Sequence, residues 1–440
     1  MSRDDSRHRG LSPVSRLEIA NGRVIDPASG RDKVGSVYVA DGMIAALDRA
    51  PDGFEADEKI DAKGLVVCPG LVDISARLRE PGFEYKATLE SEMRAAVAGG
   101  ITTLACPPDT DPPLDEPGLV EMLTRRAASL DAARVHPLGA LTVGLKGERL
   151  AEMAELREAG CVGFSQGEHP LPGLAVMLSA MRYAATLGFT VWLRPEAKTL
   201  AEGGVAHDGE VATRLGLPAI PAVAETIAIR TIVELMAATG ARVHLERLST
   251  AAGVALVAEA KKGGAPLTCD VGIHHLHLSD RDIGEFDSNC RLSPPLRDPS
   301  DRERLRAAVA DGTIDVICSD HAPVDEDAKQ VPFGEAEPGA TGLELLLPLT
   351  LQWGKDAGLK PVETLSAVTH RAARILGVAA GTLAPGAAAD LCIYDPAKPW
   401  VVQPQALASQ GKNTPFLGLE LIGRVVRTIV GGRTVYSNGP

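Results

Sequence analysis

Aromatic residues are scarce in this 440-residue chain, at 3% of the sequence, so it offers no stacking platform for nucleic-acid bases. No apolar run approaches the roughly 20 residues of a membrane span, and the polar start MSRDDSRHRG lacks an apolar signal core, so we expect no membrane association. The seven cysteines show no C-x-x-C spacing, which indicates reduced thiols and a cytoplasmic location. Basic residues are outnumbered, 45 against 58 acidic, and the net charge of −13 argues against nucleic acid as a partner.

Short patterned runs of aliphatic residues stand at both ends of the chain. RLEIANGRVI and GSVYVADGMIAAL near the start, and RVVRTIVGGRTVY near the end, combine β-branched residues with Gly, Asp and Asn, which is typical of strands and tight turns. We therefore predict that residues 16–64 and 381–440 together form one small β-sandwich domain. Residues 1–15 are expected to be disordered.

Between these ends, short apolar runs alternate with helical stretches rich in Ala, Leu and Glu. The series begins with LVVCPGLVDI and ends with TIDVICSD. Eight strand–helix units over about 280 residues predict an α/β fold, a (β/α)₈ TIM barrel over residues 65–380, with its chemistry at the carboxyl ends of the strands. Two segments, 198–222 and 280–298, interrupt the rhythm, and long loops of this kind usually shape a pocket.

Specific motifs stand at the predicted strand ends and in the long loops. They are LREPG, FSQGEHP, GEVATRLGLPAIPA (209–222), PPLR (294–297), SDHAP (319–323) and GKNTPF (411–416). Through them the chain resembles the dihydroorotases of the amidohydrolase superfamily, specifically the long bacterial type that associates with aspartate transcarbamoylase. The resemblance runs from about residue 16 to 436. It implies a zinc-dependent hydrolase of cyclic amides in pyrimidine biosynthesis.

The resemblance also locates the family's metal ligands, and the chain departs from them at five positions: Ser75, Arg77, Gln166, Arg194 and Arg247. A guanidinium remains protonated and has no lone pair, so it cannot bind zinc. Only Asp320 of the ligand set remains; it is also the family's general base position, and we expect it to be vestigial. We therefore predict no metal and no cofactor. The three arginines should converge, with Asp109, Glu196, Glu246 and Asp320 as their partners.

The family's substrate-binding positions are only partly kept. Arg79, Asn289 and His321 match residues that hold dihydroorotate in the family, the arginine through the substrate carboxylate. Asp109 stands where the family has Asn, and its charge would repel that carboxylate. The histidine cluster HHLH (274–277) is expected in the seventh strand, where His275 and His277 would share a face; we interpret it as structural, with metal binding as the less favoured reading.

Three functional hypotheses follow. The leading one is a non-catalytic dihydroorotase-like protein that serves as a structural or regulatory subunit of aspartate transcarbamoylase, within a homo- or hetero-oligomer. The second is an active dihydroorotase, or another cyclic amidohydrolase, with a reduced metal site. The third is a sensor in which the arginine cluster binds a small anionic ligand such as a carboxylate or phosphate. The number of retained metal ligands favours the first over the second.

Overall fold

The structure is a computed structural model that describes residues 16–438, so the expectation of disorder for residues 1–15 lies outside the described residues. Its strands, numbered along the chain, are β1 Arg16–Asp26, β2 Arg31–Ala40, β3 Met43–Leu47, β4 Glu58–Asp61, β5 Val66–Pro69, β6 Leu71–Asp73, β7 Ile101–Cys106, β8 Arg134–Ala140, β9 Gly163–Ser165, β10 Thr190–Leu193, β11 Ala206–His207, β12 Ala219–Ile220, β13 Arg242–Leu245, β14 Leu267–Gly272, β15 Val316–Cys318, β16 Leu391–Val401, β17 Glu420–Val430 and β18 Arg433–Ser437.

The helices lie mainly between the strands of the central region. They are α1 Leu89–Ala98, α2 Pro117–Ser129, α3 Met153–Glu158, α4 Leu174–Leu187, α5 Lys198–Ala201, α6 Glu210–Leu215, α7 Val223–Thr239, α8 Ala251–Lys262, α9 Pro299–Ala310, α10 Leu346–Asp356, α11 Pro361–Ser366 and α12 His370–Leu376. Among the described residues, no helix is long and apolar enough to cross a lipid bilayer.

Eight parallel strands form the predicted barrel, in the order β6, β7, β8, β9, β10, β13, β14, β15. Their side chains are buried almost throughout, as in β7, where all six residues are buried, because the barrel interior and the outer helices cover the two faces of each strand. Beyond the strand ends, a parallel bridge between Ala76 and His321 brings β6 against β15. The (β/α)₈ prediction is confirmed.

The terminal segments combine into a separate sheet, as predicted. Its order is β18, β17, β16, β5, β1, β2, β3, and β4 pairs with β1; Leu17, Val37 and Leu391 belong to its own core. One boundary differs from the prediction. The run LVVCPGLVDI is not a single barrel strand, because β5 pairs with β1 and β16, and the chain enters the barrel only at Leu71.

Two long loops lie at the carboxyl ends of the strands. The segment 198–222 holds α5, α6 and the short parallel pair of β11 and β12, whereas 280–298 consists of irregular chain with single 3₁₀ turns.

Capping residues fix where the neighbouring helices begin. The side chain of Thr250 accepts a hydrogen bond from the Gly253 amide at the start of α8, and Asp298 does the same for the first turn of α9, as N-cap residues do.

Candidate functional site

A cavity of about 370 Å³ opens at the carboxyl ends of the barrel strands. Most of its charged lining residues follow barrel strands. There are five cations and four anions: Arg77, Arg79, Lys86, Arg194, Arg247, Asp109, Glu168, Asp320 and Glu337. We call this cavity the barrel mouth. Its polar lining is dominated by ion pairs, so the arrangement of these charges decides what the cavity can bind.

Arg77 follows β6 and is 5% exposed. Its Nε donates to Asp109 at 2.9 Å and its Nη2 donates to Glu168 at 2.6 Å, while Nη1 lies 3.7 Å from Asp320. Burial favours the neutral guanidine, but the charges of Asp109 and Glu168 outweigh burial and raise the pKa of Arg77. The residue is therefore a fixed cation at a position where the family resemblance implies a metal-binding histidine.

Glu168 is the common partner of the three arginines. It accepts hydrogen bonds from Arg77 and Arg247 and lies 3.6 Å from the Nε of Arg194. Burial would raise the pKa of this carboxyl, yet the three guanidinium groups bring it well below its ordinary value. About a third of the side chain, 33%, remains exposed in the barrel mouth. Glu168 thus stays ionised at neutral pH and holds the cluster together.

Sequence reasoning missed Glu168. It stands in the quoted FSQGEHP segment, two residues after Gln166, which occupies the family's acidic position. Gln166 itself lies outside the cluster: it is buried, accepts from the Thr142 hydroxyl at 3.0 Å and donates to the Leu145 carbonyl at 2.7 Å. The sequence did offer one signal for Glu168: it is a carboxylate only two residues after Gln166, the position of a lost metal ligand.

Arg247 follows β13 and is 2% exposed. Its Nη1 donates to Glu168, to Asp320 at 3.3 Å and to the Ser293 carbonyl at 3.3 Å. Its φ of 55° is left-handed, a conformation that is strained for a long side chain; Arg79 and Asp320 at the mouth share this feature. The Nε and Nη2 of Arg247 are buried and have no hydrogen-bond partner among residues 16–438.

Arg194 follows β10 and makes a two-pronged pair with Glu196. Its Nη2 and Nη1 donate to the two carboxylate oxygens at 2.8 and 3.2 Å, a geometry in which both charges are well paired. Nη1 also donates to the Ser293 hydroxyl at 2.8 Å. Arg77, Arg194 and Arg247 therefore meet at one point, with Glu168, Glu196, Asp109 and Asp320 between and beside them.

Asp320, the retained position of the metal set, is an ion-pair partner in this structure. It lies 3.3 Å from Arg247 and 3.7 Å from Arg77. Burial raises the pKa of its carboxyl to about 6, although both arginines act in the opposite direction. Both arginines contact the same oxygen, Oδ1, which is consistent with a structural role at this position.

Three predicted positions do not face the arginine cluster. Glu246, expected as a partner of the arginines, instead accepts from the buried Ser165 hydroxyl at 3.1 Å, and burial raises its pKa to about 7. His321 is fully buried: Nε2 donates to Glu92 at 2.6 Å and Nδ1 accepts from the Gly342 amide at 3.1 Å. Asn289 lines a neighbouring cavity of about 430 Å³. Of the family's substrate-binding positions, only Arg79 and Asp109 line the barrel mouth.

The HHLH segment lies after the seventh strand, which corrects the expectation that it alternates within it. β14 ends at Gly272, and the histidines occupy a 3₁₀ turn, Ile273–Leu276, and its following residue. His274, His275 and His277 each contact a different backbone carbonyl. Burial lowers their pKa values, to about 3 for His274 and about 4 for the other two. They are neutral packing residues that do not converge on one point.

Arg79 lines the barrel mouth but does not take part in the ion pairs of the cluster. Its Nε donates to the Pro323 carbonyl at 2.9 Å, and no carboxylate oxygen of the described chain lies within 4.0 Å of its guanidinium. The side chain is 9% exposed and lines the barrel mouth. Burial, and next the positive charge of Arg77, lower its pKa. Its Nη groups are therefore hydrogen-bond donors available inside the cavity.

The residues of the barrel mouth do not fit the zinc that the resemblance implies. Zinc needs several anionic or neutral-nitrogen donors within about 2.0–2.3 Å, whereas three of the positions hold guanidinium groups, one holds a serine and one holds an amide already committed to Thr142 and Leu145. Asp320 alone remains, and it is paired with arginines. No catalytic step through a metal can be derived from this donor set.

Comparisons with known proteins agree with the fold and the motifs. A family model described as Dihydro-orotase-like matches residues 64–252. The chain is 44% identical over 420 residues to a dihydroorotase-like protein of Pseudomonas aeruginosa, covering 96% of this chain and 99% of the relative. It is 43% identical over 423 residues to a dihydroorotase of Pelobacter propionicus, covering 96% and 99%. Among solved structures, the L-hydantoinase (dihydropyrimidinase) of Arthrobacter aurescens has a TM-score of 0.86 at 25% identity, covering 96% of each chain.

Proposed function

The chain belongs to the dihydroorotase-like family, and on that premise we propose that it is a non-catalytic member of the family that acts in pyrimidine biosynthesis as a structural or regulatory subunit of aspartate transcarbamoylase. The arginine–carboxylate cluster of the barrel mouth carries this proposal. It occupies the positions at which the family resemblance implies the metal ligands.

The cluster leaves the barrel mouth without the groups that amide hydrolysis needs. Hydrolysis requires an activated water and an electrophile that stabilises the developing oxyanion. Asp320 could accept a proton only from a water within its reach, but Arg77 and Arg247 hold its carboxylate in ion pairs. Asp109, at the position where the resemblance places an amide that contacts the substrate, is paired with Arg77. These contacts support a structural rather than a chemical role.

Assays of zinc content and turnover test the loss of catalysis. We expect less than stoichiometric zinc by elemental analysis, and no interconversion of carbamoyl aspartate and dihydroorotate with or without added zinc. The matched control is a family member that keeps its histidines, purified in the same way. A tightly bound zinc ion together with chelator-sensitive turnover would instead establish the alternative, an active cyclic amidohydrolase.

A mixing experiment tests the subunit role. The chain is co-expressed with the aspartate transcarbamoylase of the same organism and analysed by size-exclusion chromatography with light scattering. We expect one complex, and a transcarbamoylase that changes its activity or oligomeric size when this chain is omitted. Two independent peaks at micromolar concentration, with the transcarbamoylase fully active alone, would contradict the proposal.

The unpaired guanidinium of Arg79 favours a second candidate function, the binding of a small anion such as a carboxylate or phosphate. The donors of Arg79 are open to the cavity, and arginine suits planar two-pronged recognition of these groups. Calorimetric titration with dihydroorotate, carbamoyl aspartate and inorganic phosphate tests it, with Arg79→Met as the matched variant. Binding that persists in Arg79→Met, or no binding of any of them, would exclude this site.

A further inference from the structure

A cavity of about 550 Å³ opens at the end of the barrel opposite the barrel mouth. Its lining includes the first residues of three neighbouring barrel strands: Thr190 of β10, Arg242 of β13 and Leu267 of β14. We call it the amino-end cavity. Active sites of this fold lie at the carboxyl ends of the strands, so a ligand held in the amino-end cavity is not a substrate of the barrel mouth.

The charged side chains of the amino-end cavity are all positive. Three arginines from three separate elements line it: Arg157 of α3, Arg242 of β13 and Arg374 of α12. No acidic residue of the described chain belongs to the lining, and no carboxylate oxygen in residues 16–438 lies within 4.0 Å of these guanidiniums. Asp315, at the same end of the barrel, is paired with Lys261. The chain has a net charge of −13, so this cavity locally reverses its charge and attracts anions.

Most hydrogen-bond donors of the three arginines are available to a ligand. Arg157 donates through Nη1 to the Cys161 carbonyl at 2.9 Å, and Arg242 donates through Nη2 to the Gly188 carbonyl. Arg374 has no acceptor for its guanidinium in the part of the chain that the structure describes. A guanidinium carries five N–H donors. Each of the three side chains therefore keeps several donors free at the rim of the cavity.

The remaining wall of the amino-end cavity is largely apolar. It includes Leu187, Phe189, Pro266 and Ile375. Leu187 is 43% exposed, and the ring of Phe189 packs against Phe164 with 5.1 Å between the ring centroids, which fixes its position. An apolar wall with a few convergent polar groups is typical of small-molecule sites. The cavity therefore suits a ligand that joins an anionic group to an apolar body.

We propose that the amino-end cavity binds a phosphate monoester with an apolar body. The number of cations favours phosphate over carboxylate. A phosphate monoester presents three terminal oxygens and a charge of about −1.5 to −2 at neutral pH, whereas a carboxylate presents two oxygens and a single charge. Three guanidiniums that approach from three elements match the three oxygens, and arginine forms two-pronged hydrogen bonds with phosphate.

Calorimetric titration of the purified full chain with phenyl phosphate tests the proposal, because this probe joins a phosphate to the simplest aromatic body. We expect saturable binding at low ionic strength. Inorganic phosphate should bind about tenfold more weakly, since it lacks the ring that the apolar wall covers. Benzoate should also bind at least about tenfold more weakly, since it keeps the ring but has one charge and two oxygens. Equal affinity for benzoate would overturn the assignment to a phosphate.

Substitutions locate the bound phosphate. Arg242→Gln and Arg374→Gln should each weaken the binding of phenyl phosphate about tenfold or more, because each removes charged donors. Arg230→Gln is the matched control, since Arg230 is an exposed arginine of α7 outside the cavity; this variant should bind as the wild type does. Circular dichroism and thermal melting confirm that each variant is folded.

The barrel mouth supplies the competing location. Arg79→Met removes its open guanidinium and should leave the binding of phenyl phosphate unchanged. Binding that disappears in Arg79→Met would place the phosphate in the barrel mouth and overturn the proposal. No binding at millimolar probe, or binding that neither Arg242→Gln nor Arg374→Gln weakens, would overturn it as well. The experiment contains no transcarbamoylase and measures neither zinc nor turnover, so its failure leaves the proposed function untouched.

Discussion

Replacement of Arg247 by histidine is the most informative perturbation of the barrel mouth, because it restores the residue type that the family resemblance implies at one position only. Arg247 is almost completely buried and contacts Glu168, Asp320 and the Ser293 carbonyl. A histidine side chain is shorter and is neutral above its pKa. The substitution therefore removes one positive charge from beside the carboxylates of Glu168 and Asp320.

The cost follows from the burial of the pair. Removing one partner of a buried ion pair costs about 3–5 kcal/mol, because the remaining charge stays desolvated. Unfolding entropy is about 2.1 cal/mol/K per residue near the melting temperature, or about 0.9 kcal/mol/K for 440 residues. The expected drop in Tm is therefore about 3–5 °C. We also expect no zinc binding by this single variant.

The drop should depend on pH in a defined direction. Burial raises the folded-state pKa of Asp320 to about 6, above its ordinary 3.8, so ionisation of this group removes stability as the pH rises through that range. Arg247 limits that loss in the wild type. The difference in Tm between wild type and Arg247→His should accordingly be larger at pH 7.5 than at pH 5.5, where Asp320 is partly protonated and the new histidine is charged.

Differential scanning calorimetry at the two pH values measures the effect. Arg149→His is the matched control, because Arg149 is exposed and this change should shift Tm by less than about 1 °C, as surface substitutions usually do. An Arg247→His variant that melts at the wild-type temperature at pH 7.5 would refute the reasoning, since it would mean that Arg247 is solvated and that the cluster contributes no stability.

Three further expectations concern the same barrel. Burial raises the pKa of Glu246 from 4.5 to about 7. Its protonated form therefore stabilises the fold at low pH, and this contribution is lost as the pH rises toward 7. Glu246→Gln should reduce the decline of Tm between pH 5 and pH 8. Glu168→Gln should lower Tm by about 3–5 °C, as Arg247→His does, because it leaves the buried Arg77 and Arg247 with one carboxylate fewer. Elemental analysis should find zinc only after joint reversion, and in no single reversion, of Ser75→His, Arg77→His, Gln166→Asp, Arg194→His and Arg247→His.

The barrel and the terminal sheet could be predicted because their strands are short apolar runs bounded by turn residues. The error at LVVCPGLVDI shows the limit of that signal. Val66–Pro69 and Leu71–Asp73 are both fully buried, so the apolar run is continuous in sequence although it passes from one sheet to another. Periodicity reports burial, and it does not report which sheet a buried strand joins.

The arginines of the cluster and three of their partners, Asp109, Glu196 and Asp320, were predictable, whereas the fourth partner was not. Arg77, Arg194 and Arg247 occupy strand ends, and parallel strands end at the same side of a barrel, so their convergence follows from the topology. The choice of Glu168 over Glu246 does not. Glu246 and Arg247 both follow Leu245, the last residue of β13. Glu246 meets Ser165, whereas Arg247 has a left-handed φ of 55°, a change of backbone direction that the sequence pattern does not report. Glu168 reaches the arginines from a loop, whose course the sequence pattern does not report.

The charges of the barrel mouth show which arginines are explained by a structural role and which one is open to a ligand. Asp109, Glu168, Glu196 and Asp320 supply four carboxylates to Arg77, Arg194 and Arg247, so these three arginines are paired without any ligand. A purely structural role explains these three arginines but does not explain Arg79. Arg79 lines the cavity and has no carboxylate partner within 4.0 Å in the described chain. Asp109, Glu337 and Glu168 act on Arg79 only over longer distances, and an anion that entered the cavity would contact its guanidinium directly. The two proposals are therefore compatible, because the three paired arginines need no ligand and Arg79 is open to one.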